Sequence, residues 1–344
     1  MDLSRALKIK VWLLTILHLL VDGLCAYTIF NRLYLTESNI SIIVTFVGYN
    51  TLAFLLQPLF GYWFDKIEKE KITLTISLIC ILIGAIFSLP KYISLFLIGV
   101  GNSVFHVIGG KYSIKVSSNK LTYLGLFVSL GACGLALGTY LYQKITLIIF
   151  TILTIILGVF CHLIKDEKTI QKDVPPLKLK GKKDILLLIL ILVAVMIRAI
   201  IGKVTAPLFE ASILDLIIIA LFASLGKALG GIVADLIGIK KTIFVTLTLS
   251  LIGYFFFRNY IVVYLLATLL FNTTMPLTLF LSNRLLKHYE GFSFGLLASV
   301  LFIGYLLGEL YIYLNFSYTP ILCVSIVATI YIILYVKKKV AKEL

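Results

Sequence analysis

The sequence predicts an all-α membrane protein, with twelve transmembrane helices in two pseudo-symmetric six-helix bundles. Three observations carry this. The 344-residue chain is 60% hydrophobic and 14% charged, with mean hydropathy +1.07, outside the range of soluble globular domains. Apolar runs of about 20 residues, enough helix to cross a bilayer, recur from end to end. Long unbroken runs, rather than ten-residue alternation, mark helices and not barrel strands. Finally, the chain repeats itself at a fixed offset. Gly61-x-x-x-Asp65 and Gly231-x-x-x-Asp235 stand 170 positions apart, and so do Asn102 and Asn272, Gly125 and Gly295, Ser129 and Ser299, Gly134 and Gly304, and Gly138 and Gly308.

The first span, 9–30, carries His18 and Asp22 four positions apart, on one helix face near mid-membrane. Ionisable side chains at that depth mark substrate or ion pathways. Asp22 can shuttle a proton and His18 can share it; alternatively the pair only satisfies two buried groups. The second span, 40–64, ends in Gly61-x-x-x-Asp65-Lys66, followed by Lys69 and Lys71. Glycine there admits a neighbouring helix, and aspartate can attract an adjoining helix's positive end and pair with loop lysines. Such a latch would break when the halves rock, whereas the plainer alternative is a helix stop with solvated charges. The third span is 72–89. The fourth, 92–116, repeats the i,i+4 pattern with Asn102 and His106, beside Ser103, as cavity lining or as glue between helices. In the fifth, 122–142, Gly131, Gly134 and Gly138 form a stripe permitting close helix crossing. The sixth, 145–164, completes an N-terminal bundle, 1–164.

A solvated linker follows at 165–183, marked by Pro175-Pro176, Gly181 and seven lysines. The C-terminal bundle, 184–344, opens with span 184–205 and Arg198, a guanidinium that cannot be discharged and needs a partner or water. An anionic substrate or Asp22 would serve. Lys203 and Glu210 lie near that helix's outer end. In the eighth span, 212–234, Lys227 either lines the cavity or snorkels to the surface, and Gly231, Asp235, Gly238, Lys240 and Lys241 repeat the first half's punctuation. Spans 242–257 and 260–284 follow. The eleventh, 292–313, carries the Gly304-x-x-x-Gly308 stripe and Glu309, a second protonatable site or an ion-pair partner. The twelfth is 319–336.

Lysine and arginine set the orientation. With both termini inside, Arg5, Lys8 and Lys10, the Lys66–Lys71 loop, Lys111, Lys115, Lys120, the linker, Lys240, Lys241, Arg284, Lys287 and the Lys337–Lys342 tail share one side. That side is cytoplasmic by the positive-inside rule, giving a multi-pass protein of the cell membrane. The net charge of +15 reflects this topology and attraction to anionic lipid, not a nucleic-acid partner. The first span is too long for a signal-peptide core and reads as a mature helix. The five cysteines show neither metal nor disulfide spacing. No phosphate-binding loop, H-E-x-x-H or G-x-S-x-G motif occurs, so neither an enzyme nor a cofactor is expected. A duplicated helical chain of this kind is expected to be a transporter whose site lies where the halves meet.

The Gly61-to-Lys71 and Gly231-to-Lys241 stretches resemble the signatures of the major facilitator superfamily. Within it, the chain is similar to fosmidomycin-resistance-like exporters over His18-Leu19-Leu20-x-Asp22, Leu55-Leu56-Gln57-Pro58, Gly61-Tyr62-Trp63-x-Asp65-Lys66, Gly101-x-Ser103-Val104-Phe105-His106 and Gly134-x-x-x-Gly138. The resemblance implies alternating access and proton-driven export of a small molecule. Glu68, Val107 and Thr139 depart from it, standing where the family tends to have glycine, proline and proline.

The expectation is therefore a monomeric proton antiporter exporting a small molecule. Asp22, His18 and Glu309 handle protons, while Asn102, His106, Arg198 and Lys227 bind substrate. Gly61, Asp65, Lys66, Gly231, Asp235, Gly238 and Lys241 gate, and Gly134, Gly138, Gly304 and Gly308 pack. A divalent-metal carrier, with His18, Asp22 and His106 as its site, or an organic-anion carrier is the runner-up, although spacing shows no tight cluster of metal ligands. A membrane scaffold or sensor ranks behind both.

Overall fold

The computed structural model describes residues 3–34, 39–67, 69–117, 120–164, 175–177, 179, 181–315 and 318–340. Most of the expected linker (165–174, 178 and 180), Glu68 and Lys342 lie outside them. Every expected span is a helix. In the first half these are α1 (Leu3–Thr28, continued by a π turn, Ile29–Leu33), α2 (Asn39–Asn50, a π turn Thr51–Leu55, then Gln57–Lys66), α3 (Glu70–Ile86), α4 (Lys91–Ser117), α5 (Thr122–Ser129 and Gly131–Tyr140) and α6 (Lys144–Leu163). The second half comprises α7 (Lys182–Val204), α8 (Ile213–Ile237), α9 (Ile239–Phe256), α10 (Ile261–Asn272 and Thr274–Leu285), α11 (Glu290–Tyr313) and α12 (Tyr318–Val340). No strand occurs among the described residues. Ten of the helices are long and apolar enough to cross a bilayer. The others are α3, with 17 residues, and α12.

Two irregularities follow from proline, which has no N–H to bond the carbonyl four residues back. Pro58 leaves Phe54 without that bond, and the π turn Thr51–Leu55 sits there. Beside it, Gln57 donates its side-chain amide to the Ala53 carbonyl at 2.8 Å. Pro276 likewise releases Asn272, where α10 breaks.

Glycine stripes set close crossings within each half. A Cβ at Gly134 would strike the Leu19 carbonyl, and one at Gly138 would strike that of Gly23, pinning α5 to α1. In the second half Gly304 meets the Met196 carbonyl, and Gly308 meets the Lys203 side chain with the Ile200 carbonyl behind it, bringing α11 against α7. The α1 and α7 partners are 177 apart, not 170, because the first half carries seven more residues between its opening helix and Gly61. In this register Arg198 corresponds to Val21, the neighbour of Asp22. On the outer surface, α6 exposes Ile148, Ile152, Ile155 and Val159 at helical spacing, an apolar stripe suited to lipid.

Candidate coupling site and gates

α1 and α4 bring His18, Asp22, Asn102 and His106 into one cluster. Asn102 donates its side-chain amide to Asp22 Oδ1 at 3.0 Å. His18 Nε2 lies 3.2 Å from Asp22 Oδ2, and His106 Nε2 lies 3.6 Å from Asp22 Oδ1. The two histidine Nε2 atoms are only 2.8 Å apart. Both histidines are nearly closed off, whereas the Asp22 side chain keeps 19% of its surface open. The cluster fits because α5 passes it with Gly131, where a Cβ would collide with His18 Nε2 and crowd Asp22.

The hydrogen bonds fix the proton arrangement. His18 Nδ1 faces the Phe127 carbonyl at 2.7 Å, and His106 Nδ1 faces the Asn102 carbonyl at 2.9 Å. A carbonyl only accepts, so both Nδ1 atoms must carry hydrogen, and a neutral ring then presents a bare lone pair at Nε2. Two such lone pairs at 2.8 Å repel. The geometry is satisfied when one proton lies between them, making an N–H···N bond beside the Asp22 carboxylate.

Asp65 and Asp235 sit at helix N-termini of the opposite half. Asp65 accepts from the Gly291 and Phe292 N–H groups, at 2.9 and 2.8 Å. Asp235 accepts from the Leu121 and Thr122 N–H groups at 2.8 and 2.9 Å, and from the Thr122 hydroxyl at 2.6 Å. Each carboxylate thus meets the positive end of α11 or α5. Glycine lets the backbones approach: a Cβ at Gly61 would strike the Gly291 carbonyl, and one at Gly231 the Leu121 carbonyl. Both crossings lie at the end bearing Lys66 and Lys241.

The loop lysines do not pair with these aspartates. Lys66 bonds the Tyr62 hydroxyl at 2.7 Å, and Lys241 forms no hydrogen bond or ion pair among the described residues. The cation beside Asp65 is Lys111, buried on α4, at 3.7 Å. Lys111 also donates to the Phe64 carbonyl at 2.6 Å and pairs with Glu70 at 2.9 Å. Sequence reasoning missed this role because Lys111 reads as one more membrane-edge lysine. Gly238, with φ 81° at the end of α8, ends the helix in a conformation that favours glycine. Glu309 pairs with Lys203 at 2.7 Å, and both side chains are partly exposed.

Arg198 and Lys227 stand apart from these pairs. Arg198 is buried on α7 and its Nη1 has no hydrogen-bond partner. Lys227, on α8, lies within electrostatic reach of Arg198, Asp22 and His106.

The absence of a metal-ligand cluster, expected from spacing, is corrected by the fold. His18, Asp22 and His106 offer three ligand atoms all within 4.8 Å of one another, a set that suits a divalent transition metal. His106 comes from a distant helix, so spacing alone could not show that the three ligand atoms converge.

The sequence model of the Major Facilitator Superfamily matches residues 11–308. The fold is similar to a crystal structure of the E. coli fucose:proton symporter at 10% identity, TM-score 0.72, covering 96% of this chain and 98% of that one. A second structure of a Major Facilitator Superfamily transporter, in an outward conformation, gives 12% identity and TM-score 0.72, with the same coverage. A bacterial homologue of the iron transporter ferroportin, outward-facing, gives 13% identity and TM-score 0.56, with 98% of each chain covered. No curated protein sequence matches significantly.

Proposed function

The chain belongs to the major facilitator superfamily, and from that premise we propose that it is a proton-coupled transporter of a small molecule, working as a monomer by alternating access. Its moving parts are two bundles, 1–164 and 184–344, joined by the 165–183 linker. The observation that carries the proton step is the 2.8 Å approach of the His18 and His106 Nε2 atoms, with both Nδ1 positions already engaged. With a proton between them, α1 and α4 are held together. Once it leaves, two lone pairs face each other beside a carboxylate, and the pair must separate. Proton occupancy thereby biases the packing of two helices, which is what coupling requires. Asp22 keeps the transferred charge compensated, and Asn102 orients it. Asp65 and Asp235 latch the basic end, which the positive-inside rule assigns to the cytoplasm. Rocking exchanges these capped helix ends for water. Export by proton exchange is the direction the resemblance to fosmidomycin-resistance-like exporters implies.

Proteoliposomes loaded with the small-molecule fraction of a cell extract, held under an imposed pH gradient, test this by mass spectrometry of what leaves. Wild-type protein is expected to move at least one compound in response to the gradient, and Asp22→Asn to lose that response. Movement indifferent to the gradient and unchanged in Asp22→Asn removes the coupling role.

A second reading makes a divalent cation the cargo, favoured by the His18–Asp22–His106 ligand set. Calorimetry with Zn²⁺, Fe²⁺ and Mn²⁺ decides it. Heat that disappears in His106→Gln supports a metal carrier, and no heat dismisses it.

A further inference from the structure

Arg198 and Lys227 form a charge arrangement that the proton step leaves unexplained. Arg198 is 7% exposed, and its guanidinium makes no hydrogen bond or ion pair among the described residues; Nη1 is wholly buried and unpartnered. Lys227, partly exposed on α8, forms no hydrogen bond or ion pair among the described residues either, and it lies within electrostatic reach of Arg198. Arg198 is therefore held almost wholly out of water without a paired carboxylate, and a second cation, on a partly exposed residue, lies within its electrostatic reach. A fixed positive charge removed from solvent is strongly unfavourable unless a counter-charge joins it. A protein keeps such a pair where an anion arrives from outside.

Their placement fits a transported ligand. Lys227 sits where the halves cross: its carbonyl is the atom that Gly125 of α5 packs against. Its pseudo-symmetric counterpart, Gln57, meets Gly295 of α11 in the same way, so a neutral amide in one half is matched by an ammonium in the other. Arg198 corresponds to the neighbour of Asp22 in the α1/α7 register. The first half thus offers a carboxylate and the second a guanidinium, with Lys227 in electrostatic reach of both.

We infer that the transported molecule is a small organic anion, its carboxylate or phosphate-type group held between Arg198 and Lys227. Arg198 supplies a planar fork of donors and Lys227 a point charge. The inference rests on the transporter reading but not on its proton step, and it is tested without a gradient.

Thermal unfolding of the purified full-length protein in uncharged detergent is measured with citrate, benzoate, inorganic phosphate and the uncharged analogue benzamide. At least one anion is expected to raise the wild-type Tm, and benzamide to leave it unchanged. In Arg198→Gln and in Lys227→Gln the half-saturating anion concentration should rise by ~10-fold or more. Without ligand, Arg198→Met is expected to unfold at a higher temperature than wild type, because it removes a buried charge that has no partner. Failure of all three anions to shift the wild type, shifts of equal size in Arg198→Gln and wild type, or a ligand-free Arg198→Met that is less stable than wild type would each overturn the assignment. If Arg198→Met does not fold, Lys227→Met carries the ligand-free comparison. Because no pH gradient is applied, loss of coupling in Asp22→Asn and loss of anion binding in Arg198→Gln are separately visible.

Discussion

Asp65 and Asp235 make the same contact from opposite halves, and their donors are themselves 170 positions apart: Leu121 with Gly291, Thr122 with Phe292. The duplication thus preserves an interaction between the halves as well as a fold within each. The two contacts differ in their reinforcement. Lys111 adds an ion pair to Asp65, and its counterpart 170 positions on is Leu281, whereas Asp235 gains the Thr122 hydroxyl instead.

Neutralising either aspartate should loosen the basic end. A carboxylate on helix-end N–H groups contributes about 1–2 kcal/mol, so Asp235→Asn should raise the open population ~5- to ~30-fold. Asp65→Asn should act more strongly, since it also leaves the ammonium of buried Lys111 with one anionic partner fewer. Alkylation of Cys133, buried near the α5–α8 crossing where it bonds Ser224, reads the opening. Both variants should speed modification by a membrane-impermeant maleimide added at the basic side, and unchanged rates would dispose of the latch.

Steric opening should mimic this without touching any charge. Gly61→Val and Gly231→Val each drive a side chain into a carbonyl of the other half. Overpacking of that kind costs about 1–3 kcal/mol, and it falls only on the state in which the crossing is closed. Cys133 should again react faster, while thermal unfolding within each half changes little. A variant that stays as unreactive as wild type shows that the crossing can yield locally.

Glu70, at the start of α3 outside the apolar span, gives the basic end a pH dependence. Burial pushes its carboxyl up, but Lys111 and Lys115, each 2.9 Å away, outweigh this and hold it below the usual glutamate value. A carboxyl lowered on folding stabilises above its unfolded value, and the contribution fades as pH falls through the folded one. Glu70→Gln should therefore cost about 1–3 kcal/mol at neutral pH. The Tm difference from wild type should shrink at acidity below the ordinary glutamate range. A difference that stays constant with pH would mean that Glu70 acts through packing alone.

The helices were legible because apolar runs and lysine-bearing breaks are local signals, and the 170-residue offset located both capping aspartates before any contact was known. His18 and Asp22 announced themselves by helical spacing. What spacing could not supply was the partner across the fold. His106 joins them only because α4 crosses α1, and Lys111, not a loop lysine, reaches Asp65 because α4 runs beside the end of α2. The shift of the α1/α7 register to 177 was hidden as well, since it lies in helices whose sequences share no motif.

Gly131→Ala probes the histidine pair without altering a titratable group. The added Cβ would press on His18 and Asp22 from α5, forcing the Nε2 atoms apart at a cost of about 1–3 kcal/mol. ¹⁵N NMR of histidine-labelled protein should show a shared Nε2 proton in wild type, lost in both Gly131→Ala and His106→Gln. Two neutral rings in the wild-type spectrum would remove the shared proton and with it the coupling role of the pair.

If an anion sits at Arg198 and Lys227, electrostatics fixes the sign of its linkage to the proton. The charged groups facing the site are Asp22 and the histidine pair from α1 and α4, Lys227 from α8 and Arg198 from α7. A proton on the histidine pair adds charge of the same sign as the two cations, so proton and anion strengthen each other's binding. Linkage is reciprocal, and a coupling of about 1–3 kcal/mol corresponds to ~5- to ~150-fold in affinity. Anion affinity should therefore rise as pH falls, and His106→Gln should flatten that rise. Partners that bind together tend to move together, which favours co-transport over the exchange implied by family resemblance. In liposomes an inward proton gradient should then accumulate the anion rather than expel it. Affinity that falls on acidification would instead restore exchange.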